Sequence, residues 1–297
     1  MKKKTVLIMA AGSGSRYGGL KQFDELGPKG EFLFEFNLYD ALQNGFNHVV
    51  VITKVNLVSD IQNYLKKRLP KSVTIDVVPQ EISNIPPNIT LDFDREKPWG
   101  TSHAVWVAKD VISNPFIVFN ADDYYGSNAF RLASEFLSES SKDSFGMVPY
   151  FLKNTLSTHG SVSRGVCVVE NNQLIKIEEY KELEDKNGSI LDLEKQVFFT
   201  GNELVSMNFW ICNPAIFEEI EAQLAVFLKS KSLTKKQELL LPDTMQKLIS
   251  SKKAKVFLTA PASSWFGVTY AEDKERTVHL LQELTAKNNY PSPLWNM

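Results

Sequence analysis

Four short runs of apolar, largely β-branched residues punctuate the first 120 positions: TVLIMA (5–10), HVVVIT (48–53), VTIDVV (73–78) and PFIVFN (115–120). Between them lie FLFEFNLYDALQNG (32–45), LVSDIQNYLKKRL (57–69) and TSHAVWVAKDVI (101–112), whose apolar residues recur at helical spacing. This alternation leaves few folds open, because strands joined through helices pair most readily as parallel neighbours. It predicts an α/β domain with buried strands in a mainly parallel sheet. Ligands of such sheets sit beyond the carboxyl ends of the strands. Function is therefore to be sought in the loops after Ala10, Ile52, Val78 and Asn120.

Beyond FGMVPYF (145–151) the texture changes. GVCVVENNQLIKIEEY (165–180) is two alternating runs joined at Asn171-Asn172, which reads as a β-hairpin. A charged insertion (181–195) follows, then a strand, ELVSMNFWIC (203–212), and a last helix over 270–286. With no repeat and no low-complexity linker, the expectation is one domain over 1–297, with an α/β half (1–126), an α+β half (127–268) and a closing helix and tail (269–297).

The loop after the first strand, AAGSGSRYGGLKQ (10–22), removes side chains at Gly12 and Gly14 so that backbone N–H groups can converge on an anion, while Arg16 and Lys21 add charge. A dinucleotide fingerprint would need glycine at Tyr17, and a Walker loop would need Gly-Lys-Ser/Thr, so a triphosphate cradle of another kind fits best. The alternative is a tight glycine turn with two solvated cations. FIVFNADDYYG (116–126) ends a strand in adjacent carboxylates, Asp122 and Asp123. Such a pair repels itself unless a cation or donors neutralise it, which points to Mg²⁺, with an Asx turn as the plainer reading.

A net charge of −2 and a pI near 6.2 exclude the electrostatic footprint of bulk nucleic-acid binding. Cys167 and Cys212 form no CxxC, so neither a disulfide framework nor a zinc site is expected. MKKKTVLIMAAG imitates a signal peptide, but its apolar core is short for one, and no other stretch is long enough to span a bilayer. A cytoplasmic protein with no membrane partner is expected, and homo-oligomerisation is left open.

Residues 7–46, LIMAAGSGSRYGGLKQFDELGPKGEFLFEFNLYDALQNGF, resemble the opening of the sugar-1-phosphate nucleotidyltransferases. The resemblance implies a Rossmann-like three-layer α/β/α fold of the GT-A-like type. It puts Ala11, Gly12 and Gly14 in the nucleotide loop, Lys21 in the place of the catalytic lysine beside the α-phosphate, and Arg16 on the leaving pyrophosphate. Lys29, eight positions on, is a second candidate lysine and an acceptor-binding one. The segment between Arg16 and Lys21 is shorter than in those families, and KQF also resembles the lysine segment of the methylerythritol-phosphate cytidylyltransferases.

KPWGTSHAVWVAKDV (97–111) resembles the family's G-T-A-x-A element through Gly100 and Thr101, and Gln80 corresponds to a base-reading glutamine. Asp122 aligns with the metal aspartate, and Asp123 faces the sugar or the turn. The hairpin puts Glu179 on a sugar hydroxyl, and VSMNFWICNPAIFEEI (205–220) puts Asn208 near a glycine of the pattern, as a sugar contact. Pro242 in LLPDTMQKL is read as a helix start. SSWFGVTYAEDKE (263–275) stands at the W-x-D-x-G-T segment, with Gly267 where the second metal aspartate would be. One Mg²⁺ on Asp122 is therefore expected.

The implied reaction joins an NTP, a pyrimidine nucleotide favoured, to a sugar 1-phosphate or similar phosphate acceptor. Two rival readings are a GT-A glycosyltransferase that consumes a nucleotide sugar, and a nucleotide-binding regulator that has lost catalysis. Since the sequence stops at Met297, soon after the helix over 270–286, the hexapeptide-repeat acyltransferase domain appended in some relatives is expected to be absent. Trp99, Trp106, Trp210 and Trp265 are read mostly as core packing.

Overall fold

The computed structural model describes residues 3–12, 23–90, 95, 97–139, 144–157, 159–186, 188–230, 233–268 and 270–295. In chain order, β1 (Thr5–Met9), α1 (Leu33–Gln43), β2 (His48–Thr53), α2 (Val58–Arg68) and β3 (Thr74–Pro79) lead to α3 (Thr101–Trp106), β4 (Phe116–Asn120) and β5 (Asp123–Tyr124). Next come α4 (Ser127–Glu139), β6 (Phe145–Phe151), β7 (Val162–Glu170), β8 (Gln173–Lys186), β9 (Ser189–Asp192) and β10 (Val197–Phe199). The chain continues through β11 (Leu204–Cys212), α5 (Ile216–Leu228), α6 (Leu241–Ser250), β12 (Val256–Leu258), β13 (Phe266–Gly267) and α7 (Asp273–Ala286).

The order β3-β2-β1-β4 is parallel throughout, as the alternation predicts. Antiparallel β11 then extends the sheet from β4 towards β6, β12, β8, β9 and β10, with β7 bridging β11 and β8. Period-two alternation sorts β1 onto two cores. Val6 and Ile8 join α1, α2 and α4 on one face, while Leu7 and Met9 join α3, α5 and α6 on the other, giving three layers. Among the described residues no helix is long and apolar enough to cross a membrane.

Three expectations change. VTIDVV is no buried strand: among the described residues β3 pairs only with β2, at the sheet edge, and its residues are exposed or half-buried. TSHAVWVAKDVI is helical only over α3, and the chain continues to 111 as turns that still bury Ala108 and Ile112. The charged insertion is largely strand, because β8 runs on to Lys186 and β9 folds back on it in a second hairpin. The first hairpin turns at Asn171 and Asn172, both at positive φ (50° and 61°), as a type I′ turn needs.

Helix α1 buries three acidic side chains near or on its length, and each is satisfied by a segment that lies far along the chain. The Leu294 N–H donates to Glu31 at 3.2 Å, the Trp295 indole to Glu35 at 2.7 Å and the Tyr290 hydroxyl to Asp40 at 2.6 Å. Tyr64 also donates to Glu35, at 2.5 Å. Burial pushes the Asp40 carboxyl up to about 7, against which the Tyr290 hydrogen bond works only in part. Between about pH 4 and 7 the folded carboxyl keeps a proton that the unfolded one has lost, so this contribution to stability is full in acid and falls as pH rises. Asp40→Asn is expected to lose that slope, which amounts to roughly 1.4 kcal/mol per pH unit within the window. Calorimetric melting at pH 5 and 8 checks it: the wild type loses more Tm across the interval than the variant.

Candidate active site

The carboxyl ends of β1, β2, β3 and β4 are held level by hydrogen bonds that continue past the strands. Ala10 donates to the Ile52 carbonyl at 2.8 Å, Gln80 to Thr53 at 2.8 Å and Ala121 to Met9 at 3.1 Å. Beyond them opens a cavity of about 360 Å³ lined by Ala11, Gly12, Gln80, Gly100, Thr101 and Asp122 among others. The expected nucleotide-binding residues that fall within the described chain are thus brought together. Gly14, Arg16 and Lys21 lie outside the described residues.

Gln80 is buried and its amide is oriented. Its Nε2 donates to the Gly100 carbonyl and to His103 Nδ1, both at 3.1 Å. His103 Nε2 lies 2.6 Å from the Asn84 carbonyl, which can only accept, so the imidazole carries its proton there and Nδ1 is the acceptor. Burial lowers the His103 pKa to about 4, which keeps the ring neutral. The group Gln80 has left to offer a ligand is its carbonyl oxygen.

Gly100 has φ +104°, and a Cβ there would meet the Leu239 carbonyl oxygen at 2.6 Å. The close approach lets Leu239 exchange hydrogen bonds with Trp99 (2.8 Å) and Ser102 (3.1 Å), while the Thr101 hydroxyl accepts from Leu241 N–H at 2.8 Å. The start of α6 is thereby stitched to the start of α3. Pro242 sits in the first turn of α6, as read from the sequence.

A second cavity of about 220 Å³ is lined by Asp122, Asp123, Arg164, Glu179, Ser206 and Trp265, among others. It shares Thr101, Asn120, Asp122 and Asn208 with the first, so the two meet at the end of β4. Asn208 adopts φ 59° where β11 changes register between Ser206 and Trp210, a left-handed backbone at the position matched to a glycine. Burial raises the Glu179 carboxyl above its ordinary range, Arg164 pulls it back and Asp243 pushes it up. Lys29 lies in the turn over 27–30, where its N–H donates to Glu31 at 2.8 Å, and it lines neither cavity.

Arg164 and Asn120 were not singled out from the sequence. The Arg164 guanidinium is buried over the Trp265 ring at 5.0 Å, donating to the Thr155 carbonyl through Nε at 3.1 Å and through Nη2, and to Ser163 through Nη1 at 2.7 Å. A signal existed: Arg164 shares the strand phase of Val162 and Val166, and a charge on an apolar phase is the informative exception. Trp99 and Trp210 are wholly buried, whereas Trp265 lines the second cavity.

The departure at Gly267 has a steric cause. β13 pairs with β5 so that Gly267 stands opposite Asp123, and a Cβ at 267 would lie 2.2 Å from Asp123 Oδ1. The other carboxylate oxygen of Asp123 accepts from Asn120 Nδ2 at 2.8 Å and lies 3.2 Å from the Tyr125 hydroxyl. The turn itself is tied to α1, since Asn37 donates to the Asp123 carbonyl at 2.6 Å and accepts from Tyr125 N–H at 3.1 Å.

A family model described as nucleotidyl transferase matches residues 5–273. No curated protein matches the chain by sequence. Among solved structures, the inositol-1-phosphate CTP transferase from T. maritima superposes with a TM-score of 0.65 at 13% identity, covering 95% of this chain and 96% of that one. A protein assigned as a glucose-1-phosphate thymidylyltransferase from Bacillus anthracis, in complex with sucrose, gives 0.62 at 14% identity, covering 94% and 96%. At these identities the likeness is one of fold.

The contact at Gly267 is testable by calorimetry. Gly267→Ala is expected to cost about 1–3 kcal/mol of stability through overpacking. In an Asp123→Ala background the same substitution should cost much less, and an equal cost in both would place the strain elsewhere.

Proposed function

The chain belongs to the nucleotidyl transferase family, and from that premise we propose that it joins an NTP to a sugar 1-phosphate or similar phosphate acceptor, releasing pyrophosphate. The observation that carries the reading is the meeting of two cavities along Thr101, Asn120, Asp122 and Asn208, as a two-substrate transfer requires. The cavity beside the glycine loop takes the nucleotide and the one walled by Arg164 and Glu179 takes the acceptor.

A phosphate oxygen of the acceptor bonds to the α-phosphorus, the bond from that phosphorus to the bridging oxygen breaks, and pyrophosphate leaves with the electron pair. This chemistry needs positioning and charge more than covalent help. Gln80 offers its carbonyl oxygen to an N–H on the base, a contact that the favoured pyrimidine nucleotide can make. Arg16 and Lys21 offset charge on the triphosphate, and Glu179 accepts from an acceptor hydroxyl. Carboxylate oxygens at the junction are hard donors of the kind Mg²⁺ takes, and Asp122, which lines both cavities, would hold it. When bound, that ion supplies charge neutralisation at the phosphates. Two unpaired cysteines support a cytoplasmic location.

The test is a pyrophosphate-release assay with Mg²⁺, crossing the four NTPs and dTTP against sugar 1-phosphates and phosphocholine. Release that requires one NTP together with one acceptor is the expected outcome. Stabilisation by an NTP without release under any pairing would favour the regulator instead. Lys21→Ala should lower turnover by about 10²–10³-fold with the fold intact, and wild-type release from that variant would remove Lys21 from the chemistry.

A further inference from the structure

We propose that Asp123 supplies a second carboxylate to the cation held at Asp122, reaching across the β5–β13 pair into the space that Gly267 leaves without a side chain. The inference rests on the nucleotidyltransferase reading and departs from the sequence expectation that Asp123 faces the sugar or the turn.

Successive residues of a regular strand point to opposite faces. Asp122 and Asp123 nevertheless line the same cavity, because residues 121–122 form a turn between β4 and β5. Asp123 is only 8% exposed, and its carboxylate is aimed rather than loose. Asn120 Nδ2 at 2.8 Å and the Tyr125 hydroxyl at 3.2 Å fix Oδ2, which turns Oδ1 towards the Cα of Gly267.

The volume over Gly267 has room for one occupant. A Cβ there would lie 2.2 Å from Asp123 Oδ1, 3.0 Å from the Trp265 ring and 3.3 Å from the Asp122 carbonyl oxygen. An aspartate at 267 and the carboxylate of Asp123 would therefore compete for the same space, and this chain keeps the second. Because Gly267 and Asp123 are register partners, a carboxylate sent from either strand arrives at nearly the same place. The absent aspartate at 267 is then a change of strand and not a loss of charge. Two adjacent carboxylates, one buried and one half-buried, would oppose each other without such an ion.

The full chain is titrated with Mn²⁺ as the probe, reading free Mn²⁺ by electron paramagnetic resonance. The wild type should bind one ion, and Asp123→Asn, which keeps size and removes charge, should weaken it by about tenfold or more. Asp123→Ala combined with Gly267→Asp should recover most of the lost affinity, a rescue that a purely structural role for Asp123 would not give. Wild-type affinity in Asp123→Asn, or no Mn²⁺ bound by the wild type, overturns the proposal. If circular dichroism shows the double variant unfolded, Asp123→Asn decides alone. Pyrophosphate release on the same samples separates the two readings. Mn²⁺ binding lost with Asp123→Asn but no release with any substrate pair overturns the transferase reading only, and release with unchanged Mn²⁺ affinity in Asp123→Asn overturns this inference only.

Discussion

β4 is hydrogen-bonded to β1 on one side, parallel, and to β11 on the other, antiparallel, with Ile117 opposite both Val6 and Ile211. Everything at the junction follows from that shared strand. The parallel half brings the carboxyl ends of β1 to β4 to one edge, and the antiparallel half, entered through β11, brings the β7–β8 hairpin to the same edge. Asn120 ends β4 and Asn208 interrupts β11, so two of the four residues common to both cavities come from adjacent strands, with Thr101 at the start of α3 and Asp122 in the turn that follows β4.

The walls are held by polar groups that have been given fixed partners. Gln80 is locked through His103 to Asn84, Arg164 is spread over Trp265 and the Thr155 and Ser163 carbonyls, and Asp123 is braced by Asn120. Buried polar groups are costly unless satisfied, and once satisfied they tolerate few alternative arrangements. The scaffold therefore presents its ligand groups in one orientation each, which is the requirement for reactions that run on positioning.

Much of this was legible in the sequence where burial imposes a period. β1, β2 and β4 stood out because both faces of each are covered, and the Asn171-Asn172 turn because two left-handed residues in succession have few other uses. The edge position of β3 was not legible, since a run such as VTIDVV reads alike whether it has one neighbour or two. Nor was the end of α3, because apolar spacing reports burial and the turns after Trp106 bury Ala108 and Ile112 just as well. Residues 181–195 showed no clear apolar period because the buried positions are few and one of them is polar: Leu183, Ile190 and Asp192 face inward among exposed or half-buried neighbours. Gln80, Gly100, Thr101 and Asp122, which line one cavity, were named from motif resemblance, whereas the direction of Asp123 depended on a strand far along the chain that no local pattern specifies.

The clasp on α1 has a consequence for how the molecule is made. Tyr290, Leu294 and Trp295 close on Asp40, Glu31 and Glu35, so these carboxylates gain the last of their partners only when residues 290–295 have been synthesised. A nascent chain that has emerged as far as β4 holds the whole parallel half-sheet, yet leaves Asp40 without Tyr290 and the apolar face around Phe36 and Tyr39 without Tyr290 and Trp295. Contacts of such long sequence separation are slow to form and leave partly folded chains sticky. In vectorial synthesis the clasp on α1 is therefore a late contact, closing some 250 residues after the helix it covers.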